Sequence, residues 1–358
     1  MIAAEQAMAA RRCASCPKMC RSACPTQAVT GNERHQPWGH ARQIVEATRT
    51  DDGFIDPELV DGVYTCATCS ACTPPCHVDG VETPLLTWAA RAAVHRAGAT
   101  PPIGIEAVRQ AQAGKVPTVV GEWTDPSATL AALRHLATPG ADLLLHPGCG
   151  ALGRRPQAVL AAGKALRKAG VAFDVPEEHR CCGAVARTFG DEDAAASMRD
   201  GIVASAAGRR LVVQSPSCAH WLGAEPLATT LARALGEHRP RRAPTTVAYH
   251  DPCYLARHQQ CREEPRAALS AVGYEVTELR HHGDTTRCSG RGGGLPLTHP
   301  DIAAGYLQLL VDDVAESQAT RVVTGCASCA TALQSRGIDA QELGEAIAAA
   351  LEEAREEV

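Results

Sequence analysis

Aromatic residues are scarce in this chain: Phe, Trp and Tyr together make up 3% of its 358 positions. It also lacks any run of lysine or arginine, and its formal charge is -5. Nucleic acid is therefore excluded as the main partner, because that role asks for clustered basic charge and stacking platforms. No stretch approaches the roughly 18 apolar residues of a membrane-crossing helix, and the opening MIAAEQAMAARRCASC lacks the apolar core of a secretory signal. The chain reads as soluble and cytosolic, reaching a membrane only at its periphery through a partner. Nucleotide-binding motifs are missing as well. GRGGG at Gly290 to Gly294 follows a cysteine and lacks the third glycine of a dinucleotide loop, and no Walker A sequence occurs. Hydride chemistry is thereby left to another subunit.

Cysteine is what the chain has in excess, with 17 residues. In a reducing compartment such density points to metal or redox chemistry before structural disulfides. The pair in HRCCGAV, Cys181 and Cys182, argues the same way. Neighbouring Cα atoms lie about 3.8 Å apart, short of the roughly 4.4 to 6.8 Å of a relaxed disulfide.

Two runs come first. CASCPKMCRSACP holds Cys13, Cys16, Cys20 and Cys24; CATCSACTPPCH holds Cys66, Cys69, Cys72 and Cys76. The second has the C-x2-C-x2-C-x3-C spacing of a cubane 4Fe-4S run, in which three thiolates cap three irons and a distant thiolate takes the fourth. In two-cluster ferredoxins that distant ligand belongs to the other run. By that analogy one cluster takes Cys13, Cys16, Cys20 and Cys76, and the other takes Cys66, Cys69, Cys72 and Cys24. The first run carries one extra residue between Cys16 and Cys20, and His77 stands where proline usually follows. Zinc is the competing reading, since CxxC pairs also build tetrahedral zinc sites. PWGHARQIVEATRT, between the runs, has helical apolar spacing, so residues 1–100 are expected to form a helical two-cluster ferredoxin domain.

After a linker with helices over 101–140, an internal repeat follows, with units at 141–240 and 241–358. DLLLHPGC, HRCCG and VVQSPSC in the first unit are echoed by VAYHDPC, TRCSG and VVTGCASC in the second. Equivalent cysteines lie 104 (Cys149 to Cys253), 107 (Cys181 to Cys288) and 111 residues apart (Cys218 to Cys329). Such a drift marks duplication with small insertions. Short β-type runs (DLLLH, AFDV, RRLVVQS; TVAYH, YEVTEL, ATRVVTG) alternate with alanine-rich helical stretches, which predicts α/β layers on mainly parallel strands. The expected fold is thus α followed by α/β, with cysteines on loops at strand ends. Adjacent thiolates there can hold two irons of one cluster.

The set HPGC, CCG, SPSC and HDPC, CSG, CASC, behind two cubane runs, resembles the cysteine-rich (CCG) domain family of iron-sulfur proteins. Among its members are iron-sulfur subunits of glycolate oxidase and anaerobic glycerol-3-phosphate dehydrogenase and catalytic subunits of heterodisulfide reductase. The resemblance implies a further centre in the repeats, noncubane 4Fe-4S in some members and zinc or a simpler cluster in others. Both motifs depart from the full pattern, with Ser215 and Ser289 each replacing a cysteine. Four thiols remain per unit: Cys149, Cys181, Cys182 and Cys218, then Cys253, Cys288, Cys326 and Cys329. Iron-sulfur, zinc or an empty site stays open for each.

Other residues have plainer expectations. Cys261 matches no motif and reads as an ordinary thiol. His77, His146, His179, His220 and His250 read as helpers around the thiols, His281 and His282 as a solvated loop, and the C-terminal ALEEAREEV as a solvated last helix. Trp38, Trp88, Trp123 and Trp221 read as core or interface anchors. Three functions follow. The first is an electron-transfer subunit between a flavoprotein dehydrogenase and a quinone, ferredoxin or flavoprotein acceptor. The second is a heterodisulfide reductase-like enzyme, and the third a zinc-bearing scaffold.

Overall fold

A computed structural model of the chain describes residues 3–47, 56–114, 125–236 and 245–356. Trp123, part of the segment joining the domains, and the end of the helix expected after Pro37 lie outside the described residues. The architecture is α followed by α/β, as the pattern of the sequence implies.

Helices make up the N-terminal part: Ala4–Ala14, Pro25–Thr30, Pro37–Ala47, Pro57–Tyr64, Thr83–Arg96 and Pro102–Gln112. Proline repeatedly opens them, as at Pro25, Pro57 and Pro102, because its missing N–H is one a helix start leaves unpaired anyway. Asp56 caps one such start, its carboxylate accepting from the Glu58 amide at 2.9 Å. Ile44, Leu59, Val63, Tyr64, Leu86 and Val94 form the core of this part, joined by Phe189 of the first repeat.

Two parallel sheets follow. One has the order β1 (Leu143–His146), β2 (Arg210–Val213), β3 (Glu225–Pro226). In the other, β4 (Thr245–His250) lies between β5 (Tyr274–Glu278) and β6 (Val322–Thr324), with β7 (Ala340–Glu342) beyond β6. Leu143, Leu144 and Leu145 are all buried, the signature of a parallel strand covered on both faces. The AFDV segment, expected as a strand, reduces to a single bridge in which Asp174 pairs with Leu144. That bridge occupies the place beside β1 that β5 occupies beside β4, so the two sheets share one strand order, as duplication demands.

The last helix, Leu343–Glu356, corrects an expectation. Leu343, Ala346, Ile347, Ala350 and Leu351 are buried in the core that also holds Val159, Ala162 and Leu166 of helix Pro156–Lys168. Among the described side chains of this helix, Glu352 and Glu353 face solvent. Acidic residues mask an apolar stripe here; the repeats are clasped to one another by this helix.

Arg91 locks the helical part to the repeats. It is fully buried, and its guanidinium donates to the carbonyls of Val63 (3.0 and 2.8 Å), Cys66 (2.7 Å), Gly293 (2.9 Å) and Thr188 (3.2 Å). GRGGG therefore has a structural use: Gly293 comes so close to the second cysteine run that an added Cβ would stand 2.5 Å from the Cys66 carbonyl oxygen. Replacing Arg91 by Met would deprive four carbonyls of this donor, those of Val63 and Gly293 buried and those of Cys66 and Thr188 partly so, and each buried one left unpaired costs about 1 to 3 kcal/mol. Arg91→Met is expected to lower stability by at least about 3 kcal/mol. An unchanged denaturant midpoint would refute this role.

Candidate metal centres

Thiols from the two N-terminal runs meet in crossed sets. Cys13, at the end of helix Ala4–Ala14, is pushed up to about 12 by burial and then by the nearby charges of Cys20, Cys16 and Cys76. Cys20 is raised to about 11 by burial, with Cys16 and Cys76 adding to it. Cys24 instead joins the second run: burial raises it to about 12, with Cys66 and Cys69 contributing. Burial likewise raises Cys72, in the company of Cys24, Cys66 and Cys69. A small void is lined by Cys24, Cys66, Cys69 and Cys72 together. The thiols that burial raises, Cys13, Cys20, Cys24 and Cys72, become thiolates more readily against compensating positive charge, which a bound cationic centre supplies. The donor set thus fits such a centre.

One backbone device recurs at these thiols. Lys18 (φ 65°) and Thr68 (φ 51°) adopt the left-handed conformation two residues after Cys16 and Cys66. Their amides point back at the sulfurs, Lys18 N to Cys16 Sγ at 3.2 Å and Thr68 N to Cys66 Sγ at 3.3 Å. Left-handed geometry costs a non-glycine residue of order 1 kcal/mol, which marks a constrained site. The repeats use the same turn with glycine. Gly290 (φ 73°) donates to Cys288 Sγ at 3.4 Å, and the Gly183 amide (φ 88°) favours the Cys181 thiolate. An added Cβ would stand 2.6 Å from the Ala195 carbonyl at Gly183 and 2.5 Å from that of Ala303 at Gly290. This is why glycine stands behind the double cysteine: the turn aims an amide at sulfur, where neighbouring helices leave no room for a side chain.

In the first repeat, Cys149 and Cys181 Sγ stand 3.9 Å apart. Cys182 is in hydrogen-bond contact with both Cys181 and Cys218. Cys218 is held down to about 6, chiefly by the hydrogen bond from Cys182 and also by His146. His146 stacks on His179 with ring centroids 5.8 Å apart, and His179 in turn stands beside Cys149. Ser215 faces the same set: a Cβ on Gly148 would meet Ser215 Cβ at 2.7 Å and Cys218 Sγ at 3.3 Å.

The second repeat brings Cys253 and Cys288 to 4.0 Å, and Cys329 senses both Cys326 and Cys253. Ser289 Oγ lies 3.1 Å from Cys329 Sγ. The repeat cysteines follow the carboxyl ends of β1 (Cys149), β2 (Cys218), β4 (Cys253), β5 (Cys288) and β6 (Cys326, Cys329), and Cys181 and Cys182 follow the Asp174 bridge. Parallel sheets place their sites there. Among the described residues no three of His, Cys, Asp or Glu converge as a single metal ion would require.

The histidines divide. His250 is a buried strut, bonded to Thr324 Oγ1 (3.0 Å) and the Arg287 carbonyl (2.9 Å). His77 is exposed, and His220 belongs to an aromatic cluster with Trp88, Tyr254 and His258. His281 corrects the expectation of a solvated loop: its Nδ1 lies 2.8 Å from the carboxylate of the buried Asp313. His282 is exposed. Cys261 is buried beside Thr229 Oγ1 at 3.6 Å, and burial raises its thiol to about 12. Trp88 and Trp221 flank Arg187, whose guanidinium lies 3.6 and 4.5 Å from their ring centres.

Two further features escaped the sequence. Cys69 and Cys288 lie in one buried cluster that joins the second run to the second repeat, and the Cys288 thiol is the chief influence that holds Cys69 down to about 6. Ala67, Leu295 and Tyr306 pack around that junction. Beside the first repeat's thiols lies a cavity of about 190 Å³, lined by Cys149, Cys218, Arg154, Arg187, Arg291 and Trp221 among others. A signal for such arginines exists only in retrospect, in isolated charges within apolar helices, such as Arg91 in TWAARAAVHR.

Known proteins agree with this layout. The cysteine-rich CCG domain matches residues 143–223 and 247–334, and the 4Fe-4S dicluster domain matches residues 9–79. A probable membrane-anchored ferredoxin of Chromohalobacter salexigens is 32% identical over 85% of this chain and 50% of its own length. One component of the dihydromethanophenazine:CoB–CoM heterodisulfide reductase of Methanosarcina acetivorans is 24% identical over 89% of this chain and 86% of its own. The glycolate oxidase iron-sulfur subunit of Escherichia coli is 25% identical over 91% and 90%. This chain spans about half the length of the first of these. Among its described residues no helix is long and apolar enough to cross a membrane. With both domain types matched in the order the crossed thiols and paired sheets display, the chain belongs to the cysteine-rich (CCG) domain iron-sulfur proteins.

Proposed function

We propose that the chain is an electron-transfer subunit that relays electrons between a flavin-containing dehydrogenase and an acceptor such as quinone, ferredoxin or another flavoprotein. The observation that carries this reading is the crossed thiol arrangement together with the burial of Cys69 and Cys288 in one cluster, which supports a route from the dicluster region into the repeats. Relatives point the same way: they include a glycolate oxidase iron-sulfur subunit and a probable ferredoxin. We assign Cys13, Cys16, Cys20 and Cys76 to one cubane 4Fe-4S cluster and Cys24, Cys66, Cys69 and Cys72 to another. Cys149, Cys181, Cys182 and Cys218 hold a further iron-sulfur centre, with Cys253, Cys288, Cys326 and Cys329 as the corresponding set in the second repeat. When bound, such clusters supply reversible one-electron storage at potentials set by charge, exposure and hydrogen bonds to sulfur. The chain's own part is to bury the sulfurs, aim the Lys18, Thr68, Gly183 and Gly290 amides at them, and keep water from the route. No acid or base is required.

The cavity beside Cys149 favours a second reading, cleavage of a disulfide at the first repeat, by likeness to the heterodisulfide reductase component. Ser215 and Ser289 weigh against it, because each removes a thiol from the full motif. The isolated chain is expected not to turn over a disulfide with a reduced dye, and turnover would reverse the order of the two readings.

Two variants test the ligand sets. Cys76→Ala should abolish or alter the signal of the Cys13 set, with loss of up to about four irons per chain, and leave that of the Cys66 set intact in EPR of the reduced protein. Loss of the Cys66-set signal instead would overturn the crossing. Replacing Cys181 and Cys182 together by Ala should remove a further centre while both dicluster signals persist; full retention of metal would refute the role given to the pair.

A further inference from the structure

Arg257 stands where the dicluster region meets the second repeat. It is carried by the π-helical turn Tyr254–His258 that follows Cys253, a wide turn of a kind common at functional sites. The residue is 6% exposed. Its Nε donates to the Cys69 carbonyl at 2.7 Å, and its Nη1 donates to the carbonyls of Thr286 (2.8 Å) and Asp284 (3.2 Å). One guanidinium thus ties the loop of Cys69 to the loop that carries Cys288. Nη2 is buried and has no hydrogen-bond partner among the described residues.

A buried cation bonded only to neutral carbonyls is costly, by several kcal/mol, unless negative charge stands near it. The negative groups that act on Arg257 are the sulfurs of Cys69, Cys253, Cys288 and Cys72. None belongs to the Cys13 set. Its charge is therefore directed at one end of the route.

We propose that Arg257 is a positioning residue whose fixed charge raises the reduction potential of the centre held by Cys24, Cys66, Cys69 and Cys72, and so makes the Cys69–Cys288 junction the favoured exit for electrons into the repeats. This rests on the electron-transfer reading above. The physics is simple: reduction adds negative charge to a centre, and a nearby cation in a poorly screened interior stabilises the reduced form. Arg91 directs all its donors to carbonyls, whereas Arg257 keeps Nη2 without a carbonyl partner, and its guanidinium is among the groups that lower the Cys69 thiol.

The test is an EPR-monitored redox titration of the whole, anaerobically purified chain, beside Arg257→Gln and Arg257→Lys. In Arg257→Gln the signal that survives Cys76→Ala should shift to lower potential. Its oxidised-to-reduced ratio at fixed potential should change at least about tenfold, or about 59 mV for one electron. The other dicluster signal should stay in place as an internal reference, and Arg257→Lys should retain most of the parent value. Should Arg257→Gln fail to fold, the parent itself answers: after labelling with 15N-arginine, pulsed EPR should detect a weak nitrogen coupling on the same signal, lost in Arg257→Lys. An unmoved signal, equal movement of both signals, a lysine variant that behaves like glutamine, or an absent nitrogen coupling would overturn the inference alone. A parent protein without dicluster signals would overturn the electron-transfer reading instead.

Discussion

Burial of thiols in tight sets is the constraint on which the rest of this molecule depends. Water-starved sulfurs a few ångströms apart resist ionisation, as the raised Cys13, Cys20 and Cys24 thiols show. Positive charge lets the raised members of such a set become anionic, so the protein commits its interior to whatever supplies that charge. The backbone prepares for it by turning amides toward sulfur at Lys18, Thr68, Gly183 and Gly290. Two of these positions accept the strain of a side chain in left-handed geometry, and two use glycine because the neighbouring helices leave no space.

From that constraint follows the unequal use of two similar repeats. Both sheets share one strand order, and each sends cysteines from equivalent loops. Yet the second repeat is pressed against the dicluster region through Cys69, Cys288, Arg257 and the glycines near Gly293. Cysteines of the first repeat face a cavity instead. Duplication supplied two similar frames, and packing against the N-terminal part brings Cys288 of one beside Cys69 while the cysteines of the other line a cavity. Arg91 and the C-terminal helix fix these relations, the first by hydrogen bonds to four carbonyls and the second by an apolar stripe.

Much of this was readable from residue order alone, and the remainder was hidden for identifiable reasons. Cysteine spacing reveals local loops, since turns of three or four residues bring those thiols together whatever surrounds them. Strands such as Leu143–His146 announce themselves by apolar runs that end at a proline and a cysteine. AFDV was misleading because β propensity does not say whether a partner strand lies within reach, and only Asp174 makes a bridge. Arg91 and Arg257 look like surface charges in a sequence; their burial depends on carbonyls far along the chain, at Gly293 and at Cys69. His281 likewise owes its place to Asp313, on a helix that propensity alone cannot position. The acidic C-terminal stretch hid its inner face because glutamate marks the solvent side without excluding an apolar one.

Iron and acid-labile sulfide counts, taken with EPR of the anaerobically purified and reduced chain, test the central claim most directly. The account predicts a coloured protein with two 4Fe-4S signals and additional iron beyond them. A colourless protein with stoichiometric zinc and no sulfide would contradict it.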